Sequence, residues 1–268
     1  MSKVITFGNF KGGVGKTTAS CMFSYILQQQ GYKVLLVDFD PQANSTNFLC
    51  KTFDIQLNEF VSIYEAIEQT NLRSAILNLN TNFDILPSAV DLTGYRDLID
   101  KKAKGNKQHY FLAFLLEGIK YDYDFVIIDV PPTISEFTNN ALVSSDHTLI
   151  IMQTEPDSLI GAIEYHRHAI KMSEEFNPKL KVSGILPYLA KKRSKIDQHI
   201  MKKSLSDESK IKDYIFKNHI YERERVKRFR INGIKNEDHH DKKVFKMYNN
   251  VVEELLEKVG MKDEKTKQ

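Results

Sequence analysis

A chain of 268 residues, 41% hydrophobic and 27% charged, has the composition of a soluble globular protein and room for one sizeable α/β domain. No apolar run approaches the ~20 residues that span a bilayer, and the run at residues 4–7 leads into a glycine loop rather than a secretory cleavage site. Cys21 and Cys50 stand apart with no CxxC pairing, which argues against a zinc or iron–sulfur site and reads as two reduced thiols.

In chain order, short β-branched runs predict strands over residues 4–9, 33–38, 83–87, 125–129, 147–152 and 182–189, with a weaker one over 214–220. Helical spacing predicts helices over 17–30, 62–69, 91–102, 111–119, 158–176, 194–205 and 243–259. In the last of these an apolar stripe runs from Val244 through Tyr248, Val251 and Leu255 to Val259 and is expected to cover the sheet rather than lie on a membrane. The alternation predicts an α/β fold: a mostly parallel twisted sheet with helices on both faces and ligands beyond the carboxyl ends of the strands. One domain is expected over residues 1–261, with no further domain ahead of the first strand and a disordered polar tail over 262–268.

Between the first strand and first helix stands Asn9-Phe10-Lys11-Gly12-Gly13-Val14-Gly15-Lys16-Thr17-Thr18. Glycines let backbone N–H groups converge on phosphate oxygens, and a helix N-terminus adds a favourable dipole. Lys16 supplies a point charge for the β- and γ-phosphates, and the Thr17 hydroxyl is suited to Mg²⁺. Phe10 stands where the strict phosphate-loop pattern has its first glycine, and an additional lysine, Lys11, precedes Gly12. The second strand ends in Asp38-Phe39-Asp40-Pro41-Gln42-Ala43-Asn44. Asp38 and Asp40, two apart, are expected to face one side, one orienting metal-bound water and the other the attacking water. A third carboxylate, Asp129, follows four apolar residues and precedes Val130-Pro131-Pro132, as in a buried strand that delivers an acid to Mg²⁺.

The charge is unevenly spread. Residues 190–246 hold 18 Lys/Arg against 9 Asp/Glu, and the remainder 20 against 26. The basic third includes Lys195, Lys202 and Lys203, with His199 between them at helical spacing. It also includes Tyr221-Glu222-Arg223-Glu224-Arg225-Val226-Lys227-Arg228-Phe229-Arg230. Such residues suit a phosphate backbone, and no base-reading module accompanies them, so contact with DNA is expected to be non-specific. His239-His240 reads as a surface pair rather than a metal site, because neighbouring residues do not share a helix face.

KGGVGKTT (Lys11–Thr18) resembles the deviant Walker A motif of the ParA/MinD superfamily. DxDPQxN, Asp38–Asn44, resembles the ParA switch I, and Asp129-Val130-Pro131-Pro132 its switch II. The resemblance runs from Lys3 through Val259. It implies that residues 11–18 hold ATP or ADP, that Lys11 reaches the partner subunit's phosphates in an ATP-dependent homodimer, and that Asp40 serves hydrolysis. It implies Mg²⁺ near Thr17, Asp38 and Asp129. It further implies a cytoplasmic, nucleoid-associated DNA-segregation ATPase stimulated by a ParB-like centromere-binding protein, with no membrane. One departure is Tyr221, where the family has a proline beside adenine. A MinD-like membrane ATPase lacks support because no terminal amphipathic segment is read. A nitrogenase-like iron protein needs cysteines in other places, a tyrosine-kinase relative needs a terminal tyrosine cluster, and a protein cargo stays open.

Overall fold

A computed structural model describes residues 2–57, 60–191, 194–206 and 209–261; the expected tail at 262–268 lies outside the described residues. The strands are β1 (Lys3–Gly8), β2 (Val34–Asp38), β3 (Leu77–Asn80), β4 (Phe83–Leu86), β5 (Phe125–Asp129), β6 (His147–Gln153), β7 (Lys181–Ala190) and β8 (Ile220–Tyr221). The helices are α1 (Lys16–Gln29), α2 (Asn44–Phe53), α3 (Ile63–Glu68), α4 (Tyr95–Lys102), α5 (Phe111–Leu116), α6 (Glu136–Ser144), α7 (Pro156–Glu175), α8 (Lys195–Ser204), α9 (Glu224–Asn232) and α10 (His239–Val259). They build one sheet of order β3-β4-β2-β5-β1-β6-β7-β8, parallel throughout except for the β3–β4 pair.

Alternation along the strands divides the core. Ile5, Phe7, Leu36 and Ile127 point to the face covered by α1, α2, α9 and α10, whereas Val4, Val37, Val126 and Ile128 point to the face of α3–α6. Ile150 and Met152 continue that second face under α7 and α8. The apolar stripe of α10 is buried against α1 and the sheet, so it covers the sheet as its spacing predicts. That helix starts earlier than residue 243, because Asp238 and Asp241 form a capping box ahead of the stripe.

Strand formation over 214–220 is confined to one bridge at Ile215 and the short β8. The cause is Glu254 of α10: its carboxylate accepts the backbone N–H groups of Lys217 (2.8 Å) and Asn218 (2.9 Å) and withdraws them from the ladder. Four elements carried no clear periodicity: β3, α2, α6 and α9. In α2 the opening Asn44-Ser45-Thr46-Asn47 favours turns over helix, yet tertiary contacts hold it, with Phe48 and Leu49 buried.

Candidate nucleotide site

The loop between β1 and α1 is tied down by Asn9. Its Nδ2 donates to the carbonyls of Ile151 (2.8 Å) and Ser158 (3.2 Å), while its Oδ1 accepts the backbone N–H of Lys11 (2.7 Å). Gly15 caps α1 at φ +97°, and a Cβ there would come within 2.5 Å of the Tyr188 ring. Glycine is therefore required twice over, by conformation and by space. Val14 is buried beneath the loop, and Gly12 and Gly13 are exposed above it. No side chain caps α1 and no acid sits in its first turn, which leaves its N–H groups and dipole directed at a ligand. Lys11 is exposed on the rim.

The carboxylates converge because parallel strands in register end together: Asp38 of β2 pairs with Asp129 of β5. The start of α2 then fixes both. Ser45 Oγ donates to Asp129 Oδ2 (2.7 Å), and the backbone N–H (2.8 Å) and hydroxyl (2.7 Å) of Thr46 donate to Asp38 Oδ2. The Thr17 side chain stands beside Asp129 and favours its charged form. Asp40 accepts the Gln42 N–H (2.9 Å) on Oδ1, and its carbonyl accepts Ser88 Oγ (2.8 Å). The chain enters α2 through Ala43 at φ +52°, a left-handed conformation that costs about 1 kcal/mol or more for a residue with a Cβ. Sequence alone signalled none of Asn9, Ser45, Thr46 or Ser88 as site residues.

Asp38 and Asp40 do not share one side. β2 ends at Asp38, the chain bends, and Asp38 turns toward α2, whereas Asp40 lines the cleft above Lys16. Burial and the charge of Asp129 push the Asp38 carboxyl up to about 8. Burial pushes Asp129 up to about 6, against the hydrogen bonds from Ser45 and Thr17 and the charge of Lys16. Burial lowers the Lys16 ammonium, and Asp129 and Asp40 oppose the shift. Asp38, Asp129 and Lys16, gathered in one buried corner, are thus poised to respond to a charged ligand.

The resulting cleft holds about 260 Å³ and is lined by Gly13, Gly15, Lys16, Thr17, Asp40, Gln42 and Pro132, with Arg230 entering from α9. The oxygens suit Mg²⁺. Asp129 Oδ1 is buried without a hydrogen-bond partner, and Thr17 stands beside it. No group of three or more His, Cys, Asp or Glu residues among the described residues makes an all-protein metal cage. A sparse set is what Mg²⁺ takes when phosphates and water complete its shell.

The basic residues fall into two groups. Lys195, Lys202 and Lys203 are exposed on α8, which packs beside α7; α9 packs beside α2 and α10 on the opposite face. Between them at the sheet edge, Lys191 Nζ, ahead of α8, lies 3.7 Å from Glu222 Oε2, ahead of α9. Arg223 and Arg228 are exposed, and with Arg225, His240 and Lys243 they line a recess of about 340 Å³. Arg225 is paired to Asp238 and to buried Asp241, and Lys227 to Glu222 (2.9 Å). Arg230 is exposed too, but it lies two positions beyond Arg228 on a helical turn and lines the cleft. The backbone N–H of Tyr221 meets Met247 Sδ at 3.1 Å, and both line a neighbouring recess of about 370 Å³. His239 and His240 are exposed. No helix among the described residues is long and apolar enough to cross a membrane.

Residues 2–182 match the AAA domain family. A chromosome-partitioning ATPase, Soj, of Treponema pallidum is 30% identical over 205 residues, covering 75% of this chain and 77% of that protein. A plasmid partition protein of Borrelia burgdorferi superposes with a TM-score of 0.74 at 27% identity, over 96% of this chain and 99% of that one. Cobyrinic acid a,c-diamide synthase of Mycobacterium smegmatis, with ADP and magnesium bound, gives 0.69 at 29% identity over 79% and 84%. On these matches the chain belongs to the AAA-domain family, among the ParA/Soj partition ATPases.

Proposed function

We propose that this ParA-type ATPase is a partition switch: it binds ATP with Mg²⁺, closes as a homodimer, binds DNA without regard to sequence, and releases it after hydrolysis stimulated by a ParB-like protein. The observation that carries this reading is the gathering of Lys16, Thr17, Asp40 and Asp129 around one cleft, with Lys11 exposed and unabsorbed at its rim. Lys16 and the N–H groups of α1 bind the phosphates. Thr17 and Asp129 would hold Mg²⁺, which when bound neutralises phosphate charge. Asp38 braces the start of α2, and through it the segment that carries Asp40. Asp40 orients water toward the terminal phosphate. Lys11 has no role inside its own cleft, which favours a role in a partner's.

Ultracentrifugation with ATP, ADP and no nucleotide tests the scheme. The parent protein should dimerise only with ATP, Lys16→Ala should bind no nucleotide, and Lys11→Ala should bind ATP yet remain monomeric. A Lys11→Ala protein that dimerises normally with ATP removes the cross-subunit role.

A further inference from the structure

Among the described residues, Arg230 is the one cleft-lining residue that comes from neither the glycine loop and start of α1 nor the segments following β2 and β5. It sits near the end of α9, the helix that displays Arg228 outward and follows directly on exposed Arg223. No carboxylate among the described residues pairs with Arg230, in contrast to Arg225 on the same helix. A cation aimed into a phosphate cleft with no counter-ion of its own is suited to a ligand's anionic oxygens.

The seating of α9 links the same helix to the carboxylates. Gly233, just past α9 at φ +82°, lies so close to α2 that a Cβ would come within 2.7 Å of the Lys51 carbonyl. The next residue, Ile234, donates its N–H to Thr52 Oγ1 (3.0 Å). Helix α2 thus grips Asp38 and Asp129 at its start and α9 near its end.

We infer that Arg230 is a phosphate ligand within its own subunit, and that its contact makes α9 a nucleotide-responsive element carrying the outward arginines. The inference rests on the nucleotide reading of the cleft. A ligand's phosphates fill the space between Lys16 and Arg230, and the bond to Arg230 fixes α9 from the cleft side while Thr52 fixes it from α2. The orientation of Arg223 and Arg228 then depends on whether the cleft is filled.

The test measures ATP affinity with a fluorescent ATP analogue, together with backbone hydrogen exchange over residues 224–232, in the parent, Lys16→Ala, Arg230→Gln and Arg230→Lys proteins. Arg230→Gln should weaken ATP roughly tenfold to a hundredfold, the usual worth of a hydrogen bond to a charged group. Arg230→Lys should recover part of that loss. ATP should slow exchange over α9 in the parent and not in Arg230→Gln. Unliganded melting temperatures should coincide for the parent and Arg230→Gln. Parent-like affinity in Arg230→Gln, unchanged ATP protection of α9, or a lowered unliganded melting temperature would each overturn the inference. Failure of the underlying reading looks different: the parent itself binds no ATP, or Lys16→Ala binds it as well as the parent does.

Discussion

Asp129 shows how single residues set up the cleft. One oxygen is satisfied by Ser45 and the other is buried without a partner, while burial raises the group to about 6. Such an arrangement is costly alone and favourable once a cation arrives. Asp40 is held differently, by a local turn and Ser88, and opens onto the cleft. Asp40→Ala should therefore keep ATP binding and dimerisation while hydrolysis slows by roughly a hundredfold or more, as when a water-positioning group is lost. Single-turnover phosphate release is the measurement, and near-parent rates would refute the assignment. Gly15→Ala should do the reverse: strain at φ +97° of about 1–3 kcal/mol and the clash with Tyr188 distort the cradle. Its ATP affinity and melting temperature should fall together; a variant that keeps both would show that the loop accommodates a Cβ.

Among the elements, α9 combines most roles and was the least legible in sequence. Its charged residues mask a two-residue apolar anchor, Val226 and Phe229, which is buried. The structure separates basic residues that sequence groups together. Arg223 and Arg228 line an outer recess, Arg225 and Lys227 are paired, and Arg230, though also exposed, lines the cleft. Arg223→Ala with Arg228→Ala should weaken the binding of random-sequence duplex by the ATP-bound protein and leave ATP affinity intact. If both residues meet phosphates in each subunit of a dimer, the slope of log affinity against log salt should become shallower by about 3–4, at ~0.9 per phosphate released. An unchanged slope would move the DNA contact elsewhere, with α8 the next surface to test. Arg225→Gln should act on stability instead, costing about 1–3 kcal/mol, because it leaves buried Asp241 without its cation. A chemical-denaturation midpoint equal to the parent's would count against that pairing.

For the whole molecule, the buried ionisable groups pull stability in opposite directions with pH. His147 of β6 is buried, with Ser183 Oγ 2.8 Å from its Nδ1; burial, then Lys3 and Lys181 against Asp146, push it down to about 4. The unfolded chain takes up that proton first, so the neutral histidine contributes fully above pH ~6.5, and up to about 3 kcal/mol is lost as pH falls toward 4. Asp38 and Asp129, raised to about 8 and about 6, work in the other sense, because the folded state takes up their protons first and gains stability as pH falls. The His147 contribution is therefore read as a difference. His147→Asn should gain melting temperature relative to the parent as pH drops from 6.5 to 4, and a difference constant across that window would contradict it.

The sequence by itself determined the parallel core strands, the helices with a clear apolar stripe, and the glycine loop. These depend on periodicity and on backbone freedom, both of which are local. It also named Lys16, Thr17, Asp40 and Asp129, since each stands beside a loop or at a strand end whose type is readable from its neighbours. It did not determine α2 or α9, whose residues prefer turns or water until other elements bury their few apolar side chains. It also put Asp38 and Asp40 on one side of the chain and grouped Arg230 with Arg228. Residues two apart diverge once a strand ends or a helix turns, and only the packing of α2 and α9 against the sheet decided which of each pair meets the cleft.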